Sequence, residues 1–163
     1  MDDTSVKHEP TRAADFRELV ISSPAFEDGG PIPPGYTCDG RNISPPLAVG
    51  HIPPEAVSLV LIADDPDAPR GTWLHWMAWD IPVTHHFRED AIHGVQGKND
   101  FGDPGYGGPC PPSGTHRYFF RVYALDAVLN LPADTGRPGV ERAMAEHILA
   151  FGQLMGTYSR TRR

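Results

Sequence analysis

Read from its N-terminus, the chain opens on a polar stretch, 1–16, where Asp2, Asp3, Lys7, His8, Glu9 and Arg12 interrupt any apolar run. This composition predicts a flexible N-terminal segment rather than a secretory leader, followed by one folded domain over 17–163. Leu19-Val20-Ile21 then forms a short β-prone run that Ser22-Ser23-Pro24 closes, which predicts the first strand. Over 26–54 the pairs Gly29-Gly30, Pro33-Pro34, Asp39-Gly40, Pro45-Pro46 and Pro53-Pro54 predict a loop region. Tyr36, Ile43, Leu47 and Ile52 punctuate it, so a packed loop is expected and not a linker.

Three longer runs carry the strongest strand signals. Residues 57–63 read Val-Ser-Leu-Val-Leu-Ile-Ala, a continuous apolar run that ends abruptly at Asp64-Asp65-Pro66 and so delivers carboxylates at its C-terminal end. Residues 73–81 read Trp-Leu-His-Trp-Met-Ala-Trp-Asp-Ile, the pattern of a central strand covered on both faces, with Pro82 ending it. A period of two puts Trp73, His75, Met77 and Trp79 on one side and Leu74, Trp76 and Ala78 on the other. In 116–125 the same period aligns His116, Tyr118, Phe120 and Val122, and sends Arg117 and Arg121 to the opposite, solvated or ion-paired side. Near the C-terminus Val140, Met144, His147, Ile148, Phe151, Leu154 and Met155 recur at helical spacing, with Pro138 before them and Gly156 placed as a C′ residue. One amphipathic helix is therefore expected to close a mainly β, antiparallel sandwich, and a βαβ arrangement is not.

Composition narrows the function classes. With 39% apolar and 21% charged residues in 163, the chain has the make-up of a globular domain, and its 18 Pro and 17 Gly imply many turns. The 14 Lys plus Arg against 21 Asp plus Glu give a formal charge of −7, which disfavours nucleic acid and anionic bilayers as partners. Any recognition of phosphate must then be local. No apolar run approaches the ~20 residues that span a bilayer, so no integral membrane association and a cytoplasmic location are expected. Cys38 and Cys110 lie far apart without metal-ligand spacing, which favours two reduced thiols; a disulfide stays open because both sit in Gly-rich loops that could meet.

Candidate chemistry concentrates in two segments. One is Asp65-Pro66-Asp67-Ala68-Pro69 followed by His75-Trp76, and the other runs Gly107-Gly108-Pro109-Cys110-Pro111-Pro112-Ser113-Gly114-Thr115-His116-Arg117-Tyr118. Together with Cys38-Asp39-Gly40, Asn42-Ile43-Ser44-Pro45, Asn99-Asp100-Phe101-Gly102 and Gly156-Thr157-Tyr158, they resemble the phosphatidylethanolamine-binding protein (PEBP) family over about 19–160. The likeness is closest to its short bacterial and archaeal, YbhB/YbcL-like branch, also described as Raf kinase inhibitor-like. Several uncommon strings in one order make this specific. The resemblance implies a Greek-key β-sandwich with a C-terminal α-helix and a surface pocket for phosphate-like anions. Carried over position by position, Asp65, His75, His116 and Tyr118 line that pocket, Gly108, Pro109, Cys110 and Pro111 belong to a wall that continues to Pro112, and Asp67 and Trp76 stand behind. Where the family commonly has a Trp after its Ser-Pro-Pro-Leu type segment, this chain has Val49-Gly50, so packing beneath the pocket is expected to differ.

The residues themselves support a binding site. Pro111 and Pro112 stiffen a wall, Gly107 and Gly108 permit close backbone approach, and free amides there could form an anion nest. Both histidines and the Tyr118 hydroxyl can donate hydrogen bonds, whereas an ionised Asp65 only accepts. Three roles are open for Asp65: accepting a proton carried by a phosphoryl group, meeting a ligand's ammonium, or orienting and charging a histidine. Asp67 reads first as a turn-forming carboxylate, with Asp64 similar or solvent-facing. His51, His85, His86, His93 and His147 read as surface histidines, and Arg160, Arg162 and Arg163 as a solvated end. No nucleophile is evident and no cofactor is called for, so the reading is a non-catalytic protein that binds a small anionic or phosphorylated ligand, which the family resemblance implies to be a phospholipid head group, a nucleotide or another phosphorylated molecule. The family resemblance also implies a possible protein partner, a kinase or protease that the chain regulates, and a homodimer is compatible. The alternative is a metal-dependent hydrolase in which Asp65, His75 and His116 hold divalent iron or zinc.

Overall fold

The computed structural model describes residues 17–160; the flexible segment expected over 1–16 lies outside the described residues, as do Arg162 and Arg163. Among the described residues nine strands form two sheets. In chain order they are β1 (Arg17–Glu18), β2 (Val20–Ser22), β3 (Leu47–Gly50), β4 (Ser58–Asp65), β5 (Trp73–Ile81), β6 (His86–Phe87), β7 (Val95–Gln96), β8 (His116–Leu125) and β9 (Ile148–Tyr158). The larger sheet runs β1-β9-β8-β4-β5-β7 and the smaller β2-β3-β6. All pairs are antiparallel except β1 with β9. Among the described residues a single short α-helix, α1 (Arg137–Met144), precedes β9. The described residues are thus mainly β, with two sheets and one short α-helix in the C-terminal region.

Strand β4 is the centre of the molecule. Its apolar run is buried at every position because both faces are covered. Leu59, Leu61 and Ala63 face the smaller sheet, in a core shared with Ile21, Leu47, Val49 and Phe87. Val60 and Ile62 face the other way, packing with Leu74, Met77 and Trp79 against Val140 and Met144 of α1. Burying such side chains yields ~1.5–3 kcal/mol each, which is what commits this strand to the middle.

The expected long C-terminal helix is corrected. The helix ends at Met144, and 148–158 is the longest strand of the sheet, paired along its length with β8. The true period is two: Ala150, Gly152, Leu154, Gly156 and Tyr158 alternate inward. Two of these are glycines that contribute no apolar signal, so the outward Phe151 and Met155 combined with Leu154 to imitate helical spacing. The glycines are required there, because a Cβ on Gly156 would meet Ile32 and Phe26, and one on Gly152 would meet Leu19. The thiol reading is corrected too: Cys38 and Cys110 form a disulfide with Cα atoms 5.5 Å apart. Arg160, expected to be a solvated end, pairs with Asp39, whose other carboxylate oxygen accepts from the Tyr158 hydroxyl.

Candidate functional site

The site lies where the C-terminal end of β4 meets the starts of β5 and β8. Strand alternation divides the two carboxylates that end β4, both only 3% exposed. Asp64, expected to be turn-forming or solvent-facing, turns to the helix side and pairs with Arg121 (2.6 Å) and Arg137 (2.8 Å). Asp65 turns to the sandwich side, where Oδ2 accepts from Nδ1 of His116 at 2.6 Å and Oδ1 accepts from the Asp67 amide at 2.7 Å. Asp65, not Asp67, therefore caps this turn. The Asp67 carboxylate instead takes Arg117 through its backbone amide, Nε and Nη2. Those hydrogen bonds to the Arg117 side chain are the main reason that the Asp67 carboxyl is pulled down to about 2.

His75 reaches the site through an irregularity that a strict period of two does not contain. Along β4, Ala63 pairs with Trp76 and Asp64 with Leu74, so one residue of β5, His75, is inserted. The bulge keeps Leu74, Met77 and Trp79 on the helix side while Trp73, His75 and Trp76 stand on the sandwich side. The expected grouping of His75 with Met77 and Trp79 is thereby overturned. The His75 Nδ1 donates to the Gly107 carbonyl at 2.6 Å, and its ring lies edge-on to Tyr118 and Phe101. Burial holds its pKa below the ordinary value of 6.5, outweighing the opposing pull of that carbonyl and of Asp65.

Between these groups opens a cavity of about 370 Å³. Asp65, His75, His116, Tyr118, Cys110 and Pro111 line it, together with Pro112. The Tyr118 residue is only 2% exposed, and its hydroxyl, which interacts with Asp65, makes no hydrogen bond of good geometry. Burial first, and the Asp65 charge second, hold its proton on far above neutrality. Gly108, Pro109, Trp76 and Asp67 do not line the cavity. Gly108 donates its amide to Asn42 Oδ1 (2.8 Å), Pro109 accepts from the Cys38 amide (3.1 Å), and the Trp76 indole donates to Gln96. No anion nest forms from the loop glycines, since the Gly107 amide is likewise engaged, by the His75 carbonyl. The disulfide then fixes the wall from behind, with Cys110 facing the cavity and Cys38 in the loop before Asp39.

Sequence reasoning missed Ala68, Pro69, Arg70, Trp73 and Phe101, which complete the lining. Trp73 was within reach, because it shares its side of β5 with His75; Arg70 and Phe101 sit in loops whose direction no periodicity reports. The metal-hydrolase alternative would need Asp65, His75 and His116 to converge on one ion; each Asp65 oxygen accepts one hydrogen bond, and each histidine has Nδ1 engaged and Nε2 free. Among the described residues no group of three or more His, Cys, Asp or Glu converges as metal ligands. Of the remaining histidines, His147 pairs with Asp126 and His85 bonds to the Val49 carbonyl, whereas the His93 ring, expected at the surface, packs on Phe87 with Nε2 buried and unpartnered.

Two histidines, a tyrosine and a carboxylate thus share one proline-walled cavity in a two-sheet sandwich. The chain belongs to the phosphatidylethanolamine-binding protein family, whose model matches residues 22–159, and within it to the UPF0098, YbhB/YbcL-like prokaryotic branch. It is 49% identical over 150 residues to a UPF0098 protein of Methanothermobacter thermautotrophicus, covering 87% of this chain and 99% of that one. It is 48% identical to one from Archaeoglobus fulgidus, covering 90% of this chain but spanning only 53% of that relative's length. Among solved structures, a Chlamydia trachomatis protein described as a PEBP homolog superposes with a TM-score of 0.85 at 43% identity, covering 88% of this chain and 99% of that one. Escherichia coli YbcL, described as a member of the mammalian PEBP family, gives 0.81 at 28% identity, with the same 88% and 99% covered. No described helix is long and apolar enough to cross a membrane.

Proposed function

We propose that the protein is a non-catalytic binding protein whose cavity captures a small molecule through a phosphate-like or carboxylate group. The observation that carries this reading is the buried Tyr118 hydroxyl, a donor beside Asp65 that makes no hydrogen bond of good geometry, in a residue that lines an open cavity. Leaving such a group unsatisfied costs about 1–3 kcal/mol, and a ligand oxygen would recover it. Asp65 holds the Nδ1 proton of His116, so Nε2 is left for the ligand, as a donor when the ring is doubly protonated and as an acceptor when it is neutral. Arg70 at the cavity edge adds a positive charge in a chain that is otherwise acidic. Trp73, Phe101, Pro111 and Pro112 offer apolar surface to whatever the acidic group is attached to. Nothing in this chemistry needs a nucleophile, and a protein partner would enter the cavity only through an acidic side chain.

Titration calorimetry with methyl phosphate tests this reading. One-to-one binding is expected, weakened about tenfold or more in Tyr118→Phe, the loss of one hydrogen bond to a charged group. Absence of heat at millimolar ligand, or an unchanged affinity in the variant, would sink it. The cytoplasmic location proposed from the sequence meets one opposing fact, the Cys38–Cys110 bond, since disulfides persist mainly in oxidising compartments. Thiol labelling of protein trapped in its own cells decides between the two: free thiols at both positions support the cytoplasm.

A further inference from the structure

The donors and acceptors around the cavity do not match a fully ionised anion. His75 has its Nδ1 proton committed to the Gly107 carbonyl, which can only accept, so the neutral ring presents a bare lone pair at Nε2. Among the described residues no protein donor is hydrogen-bonded to that lone pair; the Tyr118 ring lies edge-on to His75, and its hydroxyl makes no hydrogen bond of good geometry. Asp65 adds a second acceptor, with one hydrogen bond already received on each oxygen. His116, its Nδ1–H held by Asp65, donates from Nε2 only when doubly protonated. Against these acceptors stand the Tyr118 hydroxyl, the buried and unpartnered Trp73 indole N–H, and Arg70.

We propose that this cavity reads the proton of its ligand, taking a phosphomonoester as the monoanion, whose P–OH donates to His75 Nε2 while a P–O oxygen accepts from Tyr118. The inference rests on the cavity being the ligand site, as argued above. A dianion would set an oxygen lone pair against the lone pair of His75 and against the Asp65 charge, and a sulfate ester would do so at every pH. Rejection of that kind is a stronger discriminator than an added contact, because it leaves polar groups buried and opposed. Transfer of the ligand's proton to His75 is disfavoured, since burial already opposes an imidazolium there. Among the charged groups that act on the ring, the carboxylates of Asp64, Asp65 and Asp100 favour its protonation. They do not overcome that burial.

Methyl phosphate and methyl sulfate make the test, because the methyl phosphate monoanion and methyl sulfate share size and charge and differ by the one proton. At pH 5.5 methyl phosphate is expected to bind at least tenfold more tightly. Above the second phosphate pKa, about 6, its affinity should fall toward tenfold per pH unit. Calorimetry at pH 7.5 in buffers of different ionisation enthalpy should report uptake of close to one proton per ligand bound. Equal affinities for the two esters, or methyl phosphate binding that stays level from pH 5.5 to 8, would overturn the inference while leaving the cavity a binding site. Failure of both esters to bind at any pH would overturn the site reading and this inference together.

Discussion

Gly108 shows how a correct residue can carry the wrong reason. Its lack of a side chain is used, but the backbone it admits is that of Tyr36 and Thr37 and the side chain of Asn42, not a ligand's. A Cβ there would enter the space of the Tyr36 carbonyl and of Asn42 Oδ1, the acceptor of the Gly108 amide. Gly108→Ala is therefore expected to destabilise the protein by about 1–3 kcal/mol, the usual cost of overpacking, and to weaken ligand binding by displacing the wall. Urea unfolding checks the first part and titration with methyl phosphate the second. His75 is the converse case. The sequence marks it as embedded among large apolar neighbours, yet its aim into the cavity depends on an inserted position in β5, which only the pairing with β4 reveals.

Among the elements, β4, β5 and β8 were legible almost to the residue, since long apolar runs leave few alternatives. The short strands β3, β6 and β7 were hidden in loop-like composition; two are only two residues long and exist because a neighbouring strand offers a partner. The proline wall is such a tertiary element as well. It is tied to the loop of Cys38 by a bond that closes 72 residues of chain. Replacing Cys38 and Cys110 together by Ser should cost about 2–5 kcal/mol, mostly by freeing the unfolded chain, and should lower affinity through a looser wall. Unfolding of the wild type with and without reductant, beside the double variant, reads this directly. Reduced wild type and variant should agree with each other and fall below the oxidised protein.

For the whole molecule, acid stability should fall in two stages. His75 titrates in the unfolded chain near 6.5 and lower when folded, so on acidification the unfolded chain takes the proton first. Its contribution is present above that value and is lost as pH falls below it. Asp67 stands at 3.8 unfolded and about 2 folded, so its contribution holds above 3.8 and disappears between there and about 2. The Asp67–Arg117 pair is part-exposed, so salt should blunt the lower stage more than the upper. Melting temperatures from pH 7.5 to 2.5, in wild type and His75→Gln, resolve the two. A step below 6.5 that is unaltered in the variant would assign it to another group.

The sequence by itself determined the family, the three long strands, the predominance of β structure and the residue types that gather at the cavity, because apolar runs and uncommon local strings act over a few neighbouring positions. Tertiary structure alone decided what those residues do. It joined Asp65 to His116 across 51 positions, divided Asp64 from Asp65, closed the disulfide, turned a helix-like pattern into β9 and left the Tyr118 hydroxyl without a hydrogen bond of good geometry. Each of those outcomes depends on which distant strand lies alongside, and hydrogen-bond geometry and burial are properties of that neighbour as much as of the residue.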